Sequence, residues 1–391
     1  MTLLENLRTM LEKAVPFQEL QERARAYGEA CYDQVGSSRE MAYSLGDQLR
    51  YRGTGGAAGL FGENVATETG GRMTRHALSQ LAERLDGPPM RWLGDERHTN
   101  EALRADVMNA LLLNRPASEL LIRHRDDVVR AILSDQYSTF SHVDFLDLVG
   151  GALAQVPEIG DDARVHNAQV GDELRAYVLL PRIVFGPDPG HDRLPPGREA
   201  PPGGGNGAEP KSQRGDPLHP AFYLSNSEIG TGKVRIHGGL FRVKCANGLI
   251  GWEREQGGLD LVHRGLSTRT IASAVADALV EALKLSEELA SRFVASQAVL
   301  LRPGKIEGLA RAWGEKYGLS LPTVDAWYKL VGWEASLNGR TGDEVALFDV
   351  VNAATYVAHD LAPAEREQAE RMAGDLLYAE LPERLYAAAA A

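Results

Sequence analysis

The sequence predicts an α+β fold in which a central antiparallel β-meander packs on one long helix, with helical N- and C-terminal regions. Three observations carry that expectation. Residues 221–230, 233–239 and 240–251 are β-rich runs separated by glycine-containing turns. Ser267 to Leu301 repeats its apolar residues at helical spacing, with Ser267 or Thr268 as N-cap and Arg302-Pro303-Gly304 as the stop. Outside this centre, helical periodicity prevails over alternation. With 391 residues, 43% of them hydrophobic, the chain can bury a sizeable core and has room for two or three domains.

The elements follow in order. Leu3, Leu4, Leu7, Met10 and Leu11 share one helical face, so the first fifty residues read as an amphipathic helical arm. From Tyr51 the run RYRGTGGAAGLFGENVATETGG is too glycine-rich for a helix and too polar for a core strand, and it reads as a mobile loop. Helices are expected at Met73–Leu85 and Asn100–Leu113, ended by Gly87-Pro88-Pro89 and Pro116. From Leu120, two short β-rich runs flank an Arg-Asp-Asp turn and predict a hairpin. Val143 to Ala154 returns to helical spacing. Leu174 to Phe185 is strand-like, with Pro181 confining it to an edge or a bulge. Residues 186–220 hold nine prolines and eight glycines, which predicts a disordered insertion between two strands of one sheet. The expected divisions are 1–118 (helical, with the glycine-rich loop), 119–302 (central α+β) and 303–391 (helical).

A net charge of −12 excludes a protein whose whole surface attracts nucleic acid or anionic lipid, but it leaves room for one basic face. No apolar run approaches the roughly 18–20 residues that span a bilayer, and the first residues lack the pattern of a secretory signal. The chain is expected to be cytoplasmic and free of membrane. Cys31 and Cys245 lack the spacing of a zinc site or a redox pair.

The clearest chemical feature is residues 231–252, which contain four Lys or Arg and no Asp or Glu. Alternation puts Lys233, Arg235 and His237 on one face and Val234 and Ile236 on the other. In the run read as the next strand, Arg242 and Lys244 alternate with Phe241, Val243 and Cys245. Pairing the two runs would gather five basic or titratable side chains on one side of a sheet. Arg264 and Arg269 would extend that face, and Asn247 and Gly248 would shape the turn beside it. One reading is a groove that tracks a phosphate backbone. The other is a set of solvent-facing strand cations neutralised by acids elsewhere. Aromatic platforms for bases are scarce in this stretch.

Other motifs do not survive inspection. Gly230-Thr231-Gly232-Lys233 lacks the first glycine of a phosphate loop, where Ser227 stands, and has Val234 in place of the magnesium-binding hydroxyl. The glycines at 53–59 lack the flanking strand and helix of a dinucleotide fingerprint. His76, His98, His124, His142, His166, His237, His263 and His359 form no close ligand pair. Asp126 and Asp127 have the place and chemistry of turn residues. No nucleophile elbow occurs, so neither a cofactor nor a catalytic residue is expected.

Three blocks resemble the phage and plasmid proteins grouped as domain of unknown function 932: VVRAILSDQYSTFSHVDFLDLV at 128–149, NSEIGTGKVRIHGGLFRVKCANGLI at 226–250, and FDVVNAATYVAHDLAPAEREQAERMAGDLL at 348–377. The middle block is the most specific, with Asn226-Ser227, a basic strand, and then Phe241-Arg242-x-x-Cys245-x-Asn247-Gly248. The resemblance implies a protein of a mobile element. A meander followed by one long helix is also similar to the core of single-strand annealing recombinases, which hold DNA in a basic groove and form rings. The expected function is therefore binding and annealing of single-stranded DNA by a homo-oligomer, with phosphate contacts from Lys233, Arg235, Arg242, Lys244, Arg264 and Arg269. A metal-dependent DNA nuclease and a protein-interaction or antidefence factor are the alternatives.

Overall fold

The computed structural model describes residues 14–54, 67–95, 97–155, 162–183, 218–242, 247–250, 258–264, 268–337, 340, 344–358 and 360–379. The described chain enters through β1 (Val15–Pro16) and α1 (Phe17–Gly28) and then builds a barrel. Strands β2 (Cys31–Ser44), β3 (Gln48–Thr54) and β4 (Thr67–Met73) come first. Helices α2 (Arg75–Arg84), α3 (Met90–Leu93) and α4 (Glu101–Asn114) follow, and β5 (Glu119–Arg125) and β6 (Val128–Ser134) close it. The closed order is β2-β3-β4-β6-β5. The long first strand pairs with both β3 and β5, and β4 runs parallel to β6.

Each choice has a local cause. Thr74 and Asn100 cap α2 and α4, accepting from the amides of Ala77 and Leu103. Leu49, Tyr51, Ile122 and Ile132 fill the interior and pack against Leu78, Leu81 and Met108 of the helices. Gly71 lets the barrel close, because a Cβ there would lie 2.3 Å from the Asp127 carbonyl oxygen. The Asp126-Asp127 turn joins β5 to β6 as expected, with Asp126 at φ 53°.

The N-terminal expectations therefore need correction. Past α1, the expected helical arm gives way to two strands, while residues 1–13 lie outside the described part. The expected loop contributes β3 and β4 on either side of residues 55–66, which also lie outside it. The division at 118/119 falls within the barrel, since β5 and β6 supply two of its five strands. The physical reason is visible in the first half of β2, where Gln34, Gly36 and Ser38 are the buried positions and only Met41 and Tyr43 follow as buried apolar ones. Small and polar inward residues hide a strand from any search for alternating apolar ones.

The central sheet runs β1-β7-β8-β9-β10-β11, from β7 (Arg164–Val170), β8 (Glu173–Leu179), β9 (Leu218–Ser227), β10 (Val234–Arg242) and β11 (Asn247–Ile250); β12 (Gly258–Leu261) also pairs with β10. Its neighbours are antiparallel. The proline- and glycine-rich insertion joins β8 to its neighbour β9, as expected, and residues 184–217 lie outside the described part. Pro181 falls just beyond β8. One face of the sheet packs Val178, Phe222, Leu224 and Ile236 against α1, α5 (His142–Leu153) and α6 (Thr268–Ala295). Ser141 and Asp144 form a capping box at the start of α5.

The meander differs from expectation in one respect. Gly238-Gly239 reads as a turn between two strands, yet β10 runs straight through it, pairing with β9 from Arg235 to Arg242. These glycines make room for the helix. A Cβ on Gly238 would lie 2.3 Å from the Ala282 carbonyl oxygen of α6, so strand and helix meet backbone to backbone. Gly238→Ala is expected to cost about 1–3 kcal/mol through this clash. Urea denaturation measures it, and an unchanged midpoint would mean that α6 does not rest on the strand.

The C-terminal region adds β13 (Leu300–Leu301), α7 (Ile306–Lys316), α8 (Leu321–Leu337), β14 (Val345–Ala346), α9 (Leu347–Ala358) and α10 (Pro363–Tyr378). They enclose Trp313, Trp327, Phe348 and Leu376 together with the last turns of α6. Helix α10 returns to the second face of the sheet, where Tyr223 donates to Glu367 and Tyr177 to Glu370. Among the described residues no helix is long and apolar enough to cross a membrane.

A buried charge cluster joins barrel and sheet. Arg130 of β6 reaches Glu228, just after β9, at 2.6 Å. Arg123 of β5 donates to the Glu228 carbonyl and, at 2.8 Å, to Asp33. The other Glu228 oxygen accepts from the His142 amide at 2.8 Å. Arg130 also meets Asp172, which accepts from Tyr27.

Candidate nucleic-acid interface

The acid-free segment finds its acids in space. Arg235 on β10 lies directly across from Asp260 on β12 and contacts it at 3.1 Å. It also meets Glu367 of α10 at 3.1 Å. Lys233 and His237 both lie 3.5 Å from Asp260, so this one carboxylate serves three basic side chains of one face. Partial burial alone would raise the Asp260 pKa, but His237, Arg235 and Lys233 outweigh it and hold the carboxyl below its usual range. Alternation therefore groups Lys233, Arg235 and His237 correctly, and helix α10 covers the middle of that face.

The second basic group lies elsewhere. Arg242 ends the same strand that carries Arg235, seven residues on, with its backbone paired to Leu218 and Asn247. The expected side-by-side pairing of the two groups is thus replaced by an end-to-end one, because β10 does not turn at Gly238. Asn247 and Gly248 open β11 opposite Arg242 and Phe241. Lys244 lies outside the described residues, as do the side chains of Arg242, Asn247 and Arg269; Arg269 sits in the first turn of α6. Arg264 is exposed, and its backbone bridges to Tyr137.

A different surface presents unpaired cations. On β3, Leu49 and Tyr51 point into the barrel while Gln48 and Arg50 point out. The register sets Arg50 opposite Gly70 and Gln48 opposite Arg72 on β4. Arg50 and Arg72 are exposed, and neither has an ion-pair partner among the described residues. Beside Arg50 lies an open depression of about 470 Å³ floored by Gly70 and Gly71 and edged by Gln48, Thr69 and Asp127. Without side chains on its floor, it leaves space above the strands beside the guanidinium of Arg50. This is suited to a polyanion lying across two strands, with Asp127 the single acid among the described residues that line it.

These residues were missed because the glycines that floor the site and close the barrel also look like loop glycines. A signal was present, since QLRYR and GGR alternate basic with apolar or absent side chains. Among the described residues, no three of His, Cys, Asp and Glu are placed to hold a metal ion.

Residues 207–359 match the family model described as "Domain of unknown function (DUF932)". The match takes in the whole second block and the start of the third, and lies beyond the first. Comparison with curated proteins and with solved structures found no match.

Proposed function

Taking residues 207–359 as a DUF932 domain, we propose that this chain is a single-stranded DNA binding protein of a mobile element that holds the strand on its N-terminal barrel and, as a homo-oligomer, presents it for annealing. One observation carries the reading: Arg50 lines a glycine-floored depression on β3 and β4, Arg72 stands on the same strand pair opposite Gln48, and neither arginine has an ion-pair partner among the described residues. The strand order of this barrel, with its single parallel pair, is that of the oligonucleotide- and oligosaccharide-binding barrels. Such barrels take their ligands on the face of the second and third strands, which are β3 and β4 here. Arginine in place of aromatic residues on that face favours phosphates over stacking on sugars. The fold by itself does not fix the function; the arginines are what favours nucleic acid over sugar in this reading.

Fluorescence anisotropy with labelled single- and double-stranded oligonucleotides at two salt concentrations tests it. Single strands should bind more tightly, and Arg50→Gln/Arg72→Gln should reduce the slope of log K against log salt by about 1.4, at roughly 0.7 for each phosphate no longer neutralised. A variant with Lys233, Arg235, Arg242 and Lys244 all replaced by glutamine is the comparison. If only this second variant loses binding, the interface is the basic strand and not the barrel. If neither loses it, both assignments fail. Light scattering of the full chain reads the oligomer directly.

A further inference from the structure

We infer that the groove between the β9–β10 turn and residues 262–264 binds the phosphate and base of a nucleotide. The groove has a volume of about 440 Å³, within the range of small-ligand sites. One wall is a pinned turn. Gly230 adopts φ 79°, the Ser227 hydroxyl accepts from the Thr231 amide at 3.1 Å, and Thr231 in turn donates to Glu173. The turn delivers Lys233 to the lip. The facing wall is held by backbone contacts, the Tyr137–Arg264 bridge and the Ser138 amide on the His263 carbonyl at 3.1 Å.

The chemistry of the walls selects the ligand. In a chain of net charge −12, the described residues that line the groove include two cations and no carboxylate. Arg264 is exposed, with no ion-pair partner among the described residues. Lys233 shares Asp260 with two other basic side chains, so that carboxylate neutralises it only in part. Two cations beside a Gly-Thr-Gly turn favour a phosphate. Beside them, the Tyr137 and His263 rings stack at 4.9 Å, and Val262 offers an exposed apolar edge to a planar base. His263 is 6% exposed; its Nε2 is buried and has no hydrogen-bond partner among the described residues, a state that an occupant of the groove can relieve. The site is separate from the barrel face and does not depend on it.

Nucleotide chemistry has two sources here, a free mononucleotide and the 5′-terminal nucleotide of a strand. Calorimetric titration of the full chain with adenosine 5′-monophosphate, adenosine, and a thymidine decamer with and without its 5′-phosphate separates them. Saturable binding of the monophosphate, at least about tenfold tighter than adenosine and weakened about tenfold by Arg264→Gln, assigns a free nucleotide. Preference for the 5′-phosphorylated decamer that Arg264→Gln or Lys233→Gln removes, without binding of the monophosphate, assigns a strand end. Arg264→Gln alters an exposed side chain, so the melting temperature should not move. Binding indifferent to both substitutions, or no binding of any probe, overturns the proposal. Arg50→Gln/Arg72→Gln should leave the monophosphate titration unchanged, so the two readings fail independently.

Discussion

Replacing Glu228 with alanine is expected to remove about 3–5 kcal/mol of stability, a large fraction of what a domain possesses. The cause is the arginine left behind. Arg130 is 2% exposed, and its shortest ion pair, at 2.6 Å, is with Glu228. Truncation would strand that guanidinium in the interior, with the more exposed Asp172 as its remaining acid at 3.2 Å. It would also orphan the His142 amide, which donates to the second carboxylate oxygen. Burial alone would raise the Glu228 pKa, yet His142, Arg123 and Arg130 together hold it below the usual carboxylate value, so the cluster requires the charged form. Glu228→Gln keeps the shape and removes the charge, and should cost nearly as much. Urea denaturation measures both variants. Glu228→Leu combined with Arg130→Met should recover part of the loss, because an apolar pair leaves no charge unpaired. A loss below about 1 kcal/mol for Glu228→Ala would mean that barrel and sheet are not locked through this cluster.

Acid is expected to weaken the protein well above the pH at which ordinary carboxylates titrate. His124 lies inside the barrel, stacked on Tyr32 at 4.6 Å and hydrogen-bonded to Tyr51. Burial, with a smaller contribution from Arg130, lowers its pKa to about 4 against the pull of Asp33. Burial also lowers His263 to about 4, with Arg123 adding to it. Both rings are neutral in the folded protein, whereas in the unfolded chain they take up protons near 6.5. Between pH 6.5 and 4 the unfolded state therefore binds more protons, and stability falls as pH falls through that window. Each histidine accounts for about 3 kcal/mol once pH 4 is reached. His142 and His219 are also lowered, chiefly by burial, and act in the same direction. Glu370 opposes them, since burial raises its pKa and the folded state then holds its proton more tightly. Urea midpoints at pH 8, 6.5, 5 and 4 should drop steeply over the last three. A His124→Gln/His263→Gln variant should lose most of that slope. A midpoint unchanged between 6.5 and 4 would show that the rings are not held neutral.

Local rules determined much of this protein from its sequence. The helices read near Met73–Leu85, Asn100–Leu113 and Val143–Ala154, the Asp126-Asp127 turn and the placing of an insertion between neighbouring strands all follow from local patterns, while the long helix stops at Ala295, short of the expected Leu301, because Leu300–Leu301 pairs with Val345–Ala346. The second block of the resemblance and the start of the third fall within the family match at 207–359, and the first block does not. Tertiary structure alone decided the rest, for three physical reasons. The first half of β2 buries Gln34, Gly36 and Ser38, so the strand's apolar alternation shrank to Met41 and Tyr43. Glycines at 70, 71 and 238 serve close backbone approach instead of turning the chain, and a glycine does not announce which of the two it does. The acids that neutralise the basic strand are 25 and 132 residues beyond Arg235, at Asp260 and Glu367, outside any window in which charge can be counted. Electrostatics acts over a few ångströms of space, and only the folded chain sets which residues share them.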